Sequence, residues 1–414
     1  MSPPLSPYRS AVNPARIELL EAVGGPLDFV KATGSWVEDE NGRRYLDLLG
    51  GYGAATLGHR HPAVIAALQA ALASDQPFTN PHNISRTAGL LAEKLCQLAG
   101  ANLRKVYFGN SGSEGVEAAL KFAMAYTGRS SFLSFSGAFH GFTLGSLTLA
   151  GSEALKRPFP GLALHSHQIP FGDLDLLERH LKAGDIAGVV LEPVQGMTGA
   201  RAWDNEKLIA LSKLCRRYGA AVILDEVLTG IGRTGKWFAF QHIDGFEPDM
   251  VVVSKGLTGG AVPVSATLMT DEVYESVYRG IGRSEIHAST FEAHLLGAAA
   301  GLAGIQVIEE NHLLERVAAL SQHFKRRLTE MKEAGAAVTD VRATGLLMSF
   351  QVDNNFDRDK ELWGAPSLRQ RLLSADVLTN VAAQATTYIN ILPPFTLSDE
   401  EVDFFFVQLG EILH

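Results

Sequence analysis

The chain has 414 residues, 46% apolar and 20% charged, with a formal net charge of −9. That length exceeds one simple core and suits two or more domains, and the balance is that of an ordinary globular protein. The acidic excess, with no basic patch or tail, excludes nucleic acid as the expected partner.

The opening MSPPLSPYRS lacks the apolar core of a signal peptide, so a cytoplasmic protein is expected. Residues 1–60 read as irregular and then as short strands. WVEDENGRRYLDLL (36–49) is a hairpin turning at Asn41-Gly42. Residues 61–74 and 84–100 have helical apolar spacing. From about residue 104 apolar strands alternate with amphipathic helices: KVYFG, the helix SEGVEAALKFAMAYTG, SSFLSFSG, IAGVVLEPV, the helix KLIALSKLCRRYG, AAVILDEV, DMVVVSKG and VSATLMT. The pattern predicts an α/β fold, a mostly parallel central sheet with helices on both faces. Residues 295–308 are the longest apolar helix candidate and fall short of a bilayer span, so no membrane partner is expected. Beyond 310 come a polar helix (312–334), strands within 338–352, a helix near 367–375, a strand near 388–392 and a last helix from 398. These form a smaller α+β domain. The expected division is 1–60 packing with the small domain, 61–309 as the large domain, and 310–414 as the small domain. Cys96 and Cys215 both lie in helical stretches and read as core thiols, not as a disulfide or a metal site.

Ligands of open parallel sheets sit beyond the carboxyl ends of the strands. Three features stand there. In FGNSGSEG (108–115), Ser111, Gly112 and Ser113 begin a helix, where backbone N–H groups and hydroxyls make an anion site. The Ser111/Glu114 spacing is equally that of a capping box. In ILDEV, Asp225 can hold a protonated ring nitrogen, or serve as a structural carboxylate paired with Arg233 or a helix end. Lys255, at the end of VVVSK, is followed by Gly256, Gly259 and Gly260, which would clear space for a ligand. Desolvation would leave its amine a nucleophile, although a lone lysine at a strand end more often snorkels to water. Together an anion cup, an acid and a lysine match one ligand, a pyridine bearing a phosphate and an aldehyde. That is pyridoxal 5'-phosphate, joined to Lys255 as a Schiff base.

In order along the chain, NSGSEG, GAFHG, EPVQG, DEVLTGIGRTG, SKGLTGG and HASTF, with LGHRHP near the start and ILPPF near the end, resemble the class III aminotransferase family. This is a fold-type-I pyridoxal-phosphate group, and the resemblance covers nearly the whole chain. It implies an aminotransferase acting on small-molecule amine and carbonyl substrates, with Lys255 moving the proton. It implies that Phe139 and Val227 pack on the two faces of the pyridine and that Glu192 orders the pocket near Asp225. His140 would act directly or pack behind the ring. Thr290 would reach the phosphate of the neighbouring subunit, in a homodimer with shared sites. A racemase, decarboxylase or aminomutase would use the same Lys255 and Asp225. A decayed, non-catalytic relative would not keep the lysine, acid and cup intact.

The chain departs from the family's amino-acid-specific members at the positions that read carboxylates. Phe142 and Asn390 stand for arginines, and Met197 for the glutamate that pairs with the second of them. Leu228 replaces a glutamine, and Glu292 and His294 replace glycine and asparagine. Losing both partners of an ion pair leaves a consistent neutral pocket, whereas losing one strands a charge. The expected substrate is an amine or aldehyde with a largely apolar body, unless Arg283 or Arg86 reads a carboxylate instead.

Overall fold

The computed structural model describes residues 5–413, apart from 24, 26, 81, 82, 101 and 163. A seven-stranded sheet lies at the centre, in the order Lys105–Gly109, Ser265–Met269, Met250–Val253, Ala221–Asp225, Ile186–Leu191, Ser131–Phe135 and Ser166–Ile169. The last five of these run parallel to one another. Strands buried on both faces need continuous apolar runs, and Ile186–Leu191 and Met250–Val253 are buried at every position. VSATLMT departs from the parallel pattern: Ser265–Met269 is antiparallel to both of its neighbours. A parallel return needs a crossover of a dozen or more residues. The link from Ser254 to Val264 holds only the short 3₁₀ turn Lys255–Thr258.

The helix Gly112–Thr127 packs on this sheet through Val116, Ala119, Leu120 and Phe122, with Ser111 capping its start and Gly128 its left-handed end. The hairpin at 36–49 forms as expected. Trp36–Asp39 pairs with Arg44–Asp47, and Asp39 Oδ1 accepts from the N–H groups of Asn41 and Arg43 at 2.9 and 3.0 Å. Residues 5–22 are less irregular than their composition suggests, for they carry the helices Leu5–Ala11 and Pro14–Ala22.

Two further sheets join the chain ends. Val377–Leu378 pairs parallel with Arg44–Asp47, extending the N-terminal sheet. Trp36 Nε1 and Ser35 Oγ donate to the Glu401 carboxylate of the final helix, Asp399–Leu413, at 2.7 and 3.0 Å. The C-terminal sheet, Val338–Thr344, Leu347–Val352, Ala385–Ile391 and Asn380–Ala382, is antiparallel throughout. Phe324, Phe405 and Phe406 form its aromatic backing, with ring centroids 5.0–5.8 Å apart. Cys96 and Cys215 are free. Among the described residues no helix is long and apolar enough to cross a membrane, and no group of three or more His, Cys, Asp or Glu side chains could hold a metal.

Candidate active site

Four adjacent parallel strands deliver the key side chains to one edge of the central sheet. Lys255 follows Met250–Val253, Asp225 ends Ala221–Asp225, Glu192 follows Ile186–Leu191, and Phe139 and His140 follow Ser131–Phe135. The cup at Ser111 opens at the same edge, because Gly109 pairs with Ser265 at the start of the antiparallel strand.

Asp225 is 5% exposed. Its Oδ2 lies 2.8 Å from His140 Nδ1, and its Oδ1 accepts the Val227 N–H at 3.0 Å. A carboxylate can only accept, so His140 Nδ1 is the donor. Desolvation favours the neutral ring, but the hydrogen bond and charge of Asp225, joined by the charge of Glu192, raise the His140 pKa above the ordinary value. His140 Nε2 is buried with no partner among the described residues. Two oxygens each taking one bond leave Asp225 free to accept from a further donor.

Lys255 is half-buried and has φ +32°, a conformation that L-residues rarely adopt. Such strain persists only where the surroundings impose it and gathers at functional sites. Its Nζ has no hydrogen-bond or ion-pair partner among the described residues. Desolvation lowers its pKa, the charges of Asp225 and Glu192 pull it back, and that of Arg233 pushes it further down. The glycines that follow do not clear space for a ligand; they admit the N-terminal loop. A Cβ on Gly256 would stand 2.7 Å from Thr56 Cγ2, and one on Gly260 3.1 Å from the Ala54 backbone.

The two acids of ILDEV part company. Glu226 turns into the core and accepts from the N–H groups of Ala239 and Phe240 at 2.6 and 3.0 Å and from Thr229 Oγ1 at 3.0 Å. Desolvation pushes its pKa up to about 7 against those three bonds. It is a structural group, and Glu226→Ala should lower the unfolding free energy by roughly 3 kcal/mol, because it orphans buried donors. Urea unfolding of the variant checks this. Glu192 is also driven up to about 7, by desolvation first, and accepts from Phe139 N at 2.9 Å and Gly196 N at 3.4 Å. Arg233 does not pair with Asp225; it is held by backbone carbonyls elsewhere.

At the helix start the two readings of Ser111 coexist. Ser111 Oγ accepts the Glu114 N–H at 3.2 Å, so the cap is real, while Glu114 reaches one residue further back, to Asn110 N at 2.7 Å. Ser113 Oγ accepts the Phe142 N–H at 3.3 Å. Both hydroxyl hydrogens remain available to an anion. A Cβ on Gly112 would stand 2.9 Å from Val227 Cγ2, and one on Gly141 2.1 Å from Ser113 Oγ, so the cradle depends on these two glycines. With a spare acceptor on Asp225, an unpaired Lys255 amine and free hydroxyls at a helix start, these residues fit a phosphate-bearing pyridine aldehyde.

The positions at which the family resemblance led us to expect carboxylate readers are neutral in space as well as in sequence. Asn390 is 7% exposed; its Nδ2 donates to Gly196 O at 3.0 Å and its Oδ1 accepts from Ser349 Oγ at 2.8 Å. Met197, beside Gly196, accepts the Gln384 N–H on its carbonyl at 2.8 Å. Phe142 packs edge-on against Phe139, ring centroids 5.0 Å apart. Arg283 is exposed and bonded to Ser276 O, and Arg86 is exposed at the start of Arg86–Ala99. Neither joins the cluster. Thr290 is exposed, while its neighbour Ser289 receives the Asn110 Nδ2 donor at 3.4 Å. Glu292 accepts the Ser289 N–H at 2.9 Å, and His294 caps Leu295–Glu310 through Leu296 N. The sequence reading missed Glu117, one turn beyond Glu114, which accepts from Thr143 Oγ1, Gly145 N and Ser146 N and so fixes the turn after Phe142. It also missed Ser349, whose strand character gave no sign of a polar partner.

Comparison with known proteins gives the family. The model of the aminotransferase class-III family matches residues 21–413. Putrescine aminotransferase of Pectobacterium atrosepticum is 36% identical over 414 aligned residues, which cover 96% of this chain and 85% of that protein. Aminotransferase PigE of a Serratia species is 32% identical; the match covers 97% of this chain and only 52% of PigE. An (S)-enantioselective omega-transaminase from Thermomicrobium roseum superposes with a TM-score of 0.86 at 26% identity, covering 97% of this chain and 95% of that one. An amine transaminase from an uncultivated Pseudomonas species, solved in its PLP-bound form, gives 0.84 at 25% identity, covering 97% and 96%. These relatives are transaminases, which does not favour racemase, decarboxylase or aminomutase chemistry. The chain belongs to the class-III aminotransferases, pyridoxal-phosphate enzymes of fold type I that move amino groups between amines and carbonyl acceptors.

Proposed function

We propose that this aminotransferase takes an amine with a largely apolar body and no carboxylate near the reacting carbon, and that Lys255 is its cofactor-bearing and proton-moving residue. The observation that carries the substrate reading is Asn390. Where an arginine would need a glutamate, a neutral amide is spent on Gly196 O and Ser349 Oγ beside the apolar Met197. A buried carboxylate arriving there would find no cation and would bear its full desolvation cost. Putrescine, which names one relative, also lacks a carboxylate.

When bound, pyridoxal phosphate supplies an electron sink for charge developing at the amine-bearing carbon. The chain supplies the rest. Ser111, Gly112 and Ser113 would hold the phosphate with backbone N–H groups and hydroxyls at a helix start. Phe139 and Val227 would cover the two faces of the ring. Asp225, oriented by His140 Nδ1, would hold the ring nitrogen, and Glu192 fixes Phe139 by accepting its N–H. The Lys255 amine, unpaired and biased toward neutrality, takes the proton from the substrate carbon and returns one later.

The same reading makes the enzyme a homodimer in which Thr290 serves the neighbouring subunit's phosphate. Thr290 is exposed, and Phe142, Leu144, Ile281, Ile286 and Phe291 leave 56–95% of their surfaces exposed, more than scattered apolar exposure accounts for. The proposed units are 61–309 as the cofactor domain and 310–414 as the small domain, with 1–60 packing on the latter. The Val377–Leu378 pairing and the Trp36–Glu401 bond support this division. Two free thiols fit a cytoplasmic setting.

Half-reactions with a panel of amines, followed by cofactor absorbance, test the substrate reading. Long-chain or aromatic amines should react at least about tenfold better than 4-aminobutyrate, a discrimination of more than ~1.4 kcal/mol. Equal rates would contradict it. Restoring the pair in Met197→Glu/Asn390→Arg should raise kcat/KM for 4-aminobutyrate and lower it for apolar amines. Asn390→Arg alone should destabilise the fold, because it buries an unpaired charge.

A further inference from the structure

Glu292 stands where the family often has glycine, two residues after Thr290, and the geometry shows what it holds. Ser289 and Glu292 close a turn reciprocally. The Ser289 N–H donates to Glu292 Oε2 at 2.9 Å, and the Glu292 N–H donates to Ser289 O at 3.1 Å. The side chain reaches back three residues, as the glutamate of a capping box does. Thr290 and Phe291 are the two central residues of this turn, and both are exposed. The chain leaves the turn through Ala293 at φ +53°, a conformation that L-residues adopt only where their surroundings impose it. The Thr290 hydroxyl has no hydrogen-bond partner among the described residues.

The turn stands on a fixed base. Asn110, beside the cup at Ser111, donates from Nδ2 to Ser289 Oγ at 3.4 Å, and Glu114 Oε2 accepts from Asn110 N and Nδ2 at 2.7 and 3.0 Å. Three residues before Thr290, Lys121 Nζ donates to His287 Nδ1 at 2.7 Å, and Tyr278 OH donates to His287 O at 2.8 Å. The imidazole lies 4.6 Å from the Tyr107 ring and 5.2 Å from the Phe122 ring. Burial, with the Lys121 charge, pushes its pKa down to about 4, so the ring is neutral and its Nδ1 can accept. Beyond the turn, His294 stacks on Phe78, with ring centroids 6.0 Å apart, and the Leu295 N–H donates to Phe78 O at 3.0 Å. A clipped turn, tied down on both sides, thus presents one unspent hydroxyl.

We propose that Glu292 is a positioning residue for the cofactor phosphate of the neighbouring subunit: its side chain clips the turn that presents the Thr290 hydroxyl. A hydroxyl ordered before the phosphate arrives spares the binding step that ordering cost. The clip needs an acceptor at the Ser289 N–H and not a charge, so an amide of the same length should serve as well. The inference rests on Thr290 reaching that phosphate.

The test titrates the full-length protein, stripped of cofactor, with pyridoxal phosphate and in parallel with pyridoxal, which lacks the phosphate. Glu292→Ala should raise the Kd for pyridoxal phosphate roughly tenfold and leave that for pyridoxal within about twofold, as loss of one well-placed hydrogen bond to a charged group requires. Glu292→Gln should stay within about twofold of the wild type for both ligands, because its amide oxygen accepts the same N–H. An unchanged ratio of the two constants in Glu292→Ala overturns the proposal. So does tighter binding of pyridoxal phosphate in both variants, which would mean that Glu292 acts through its charge. Glu292→Gly takes the same reading should Glu292→Ala fail to fold. Sedimentation is run alongside, and a ratio that changes only because the variant falls to monomers also overturns the positioning role. Thr290→Ala is the control. A wild-type ratio there means that the reading of Thr290 has failed, and the proposal with it. A changed ratio there, with a wild-type ratio in Glu292→Ala, sinks the new claim alone.

Discussion

Lys255→Ala is expected to lower kcat by at least about 10⁴-fold, since in the proposed role it would remove the covalent anchor and the proton-transfer group at once. It should also abolish the visible band of the lysine-bound cofactor. The folded state should not suffer, because the replaced amine is half-buried, strained at φ +32° and unpaired among the described residues. Urea midpoints equal to or above the wild type would separate this chemical loss from unfolding. Lys255→Arg should be as inactive, because a guanidinium cannot give up its proton to act as a base. A residual rate within tenfold of the wild type would place the chemistry on another residue.

Asp225→Asn should lower kcat by roughly 10² to 10⁴-fold. Losing a preorganised group that stabilises charge in the transition state typically costs about 10²-fold or more, each ~1.4 kcal/mol of activation free energy being a factor of ten. Asp225 Oδ2 lies 2.8 Å from His140 Nδ1, with the imidazole fully buried. An amide cannot hold a protonated ring nitrogen as a carboxylate does, and it removes the support for a charged imidazole. Because the folded-state pKa of His140 is raised, the stability it contributes is complete below the ordinary histidine value of ~6.5 and is lost as pH rises through the folded value. Wild-type stability should therefore be lower at a pH above the ordinary histidine value than at one below it, and Asp225→Asn should fall less. Parallel urea curves at the two pH values check the sign. An equal fall would mean that the Asp225 bond does not raise the imidazole pKa.

Much of this site was legible because its parts are local. VVVSK, ILDEV and FGNSGSEG each join a buried strand to a polar terminus, and the sheet rule brings such termini to one edge. The Asn41-Gly42 hairpin and the helices Gly112–Thr127 and Leu313–Glu333 followed from turn chemistry and apolar period. What escaped depends on partners far away in the chain. Arg233 is fixed by carbonyls 113 to 180 residues distant, and Asn390 bonds Gly196 across 194. No spacing rule carries such pairings. The glycines after Lys255 looked like room for a ligand, but the Thr56 loop that needs them lies 200 residues earlier. Leu5–Ala11 and Pro14–Ala22 were missed for the opposite reason: Pro14–Ala22 buries only Ile17, so it shows almost no apolar stripe. The antiparallel course of Ser265–Met269 was set by a short connection, which alternation alone does not reveal.

Borohydride reduction of the purified holoenzyme, followed by proteolysis and mass mapping, bears most directly on the central claim. The account predicts one reduced cofactor adduct per chain, on Lys255 within the peptide carrying SKGLTGG. An adduct on a different lysine, or none in enzyme that is active and coloured before reduction, would contradict it.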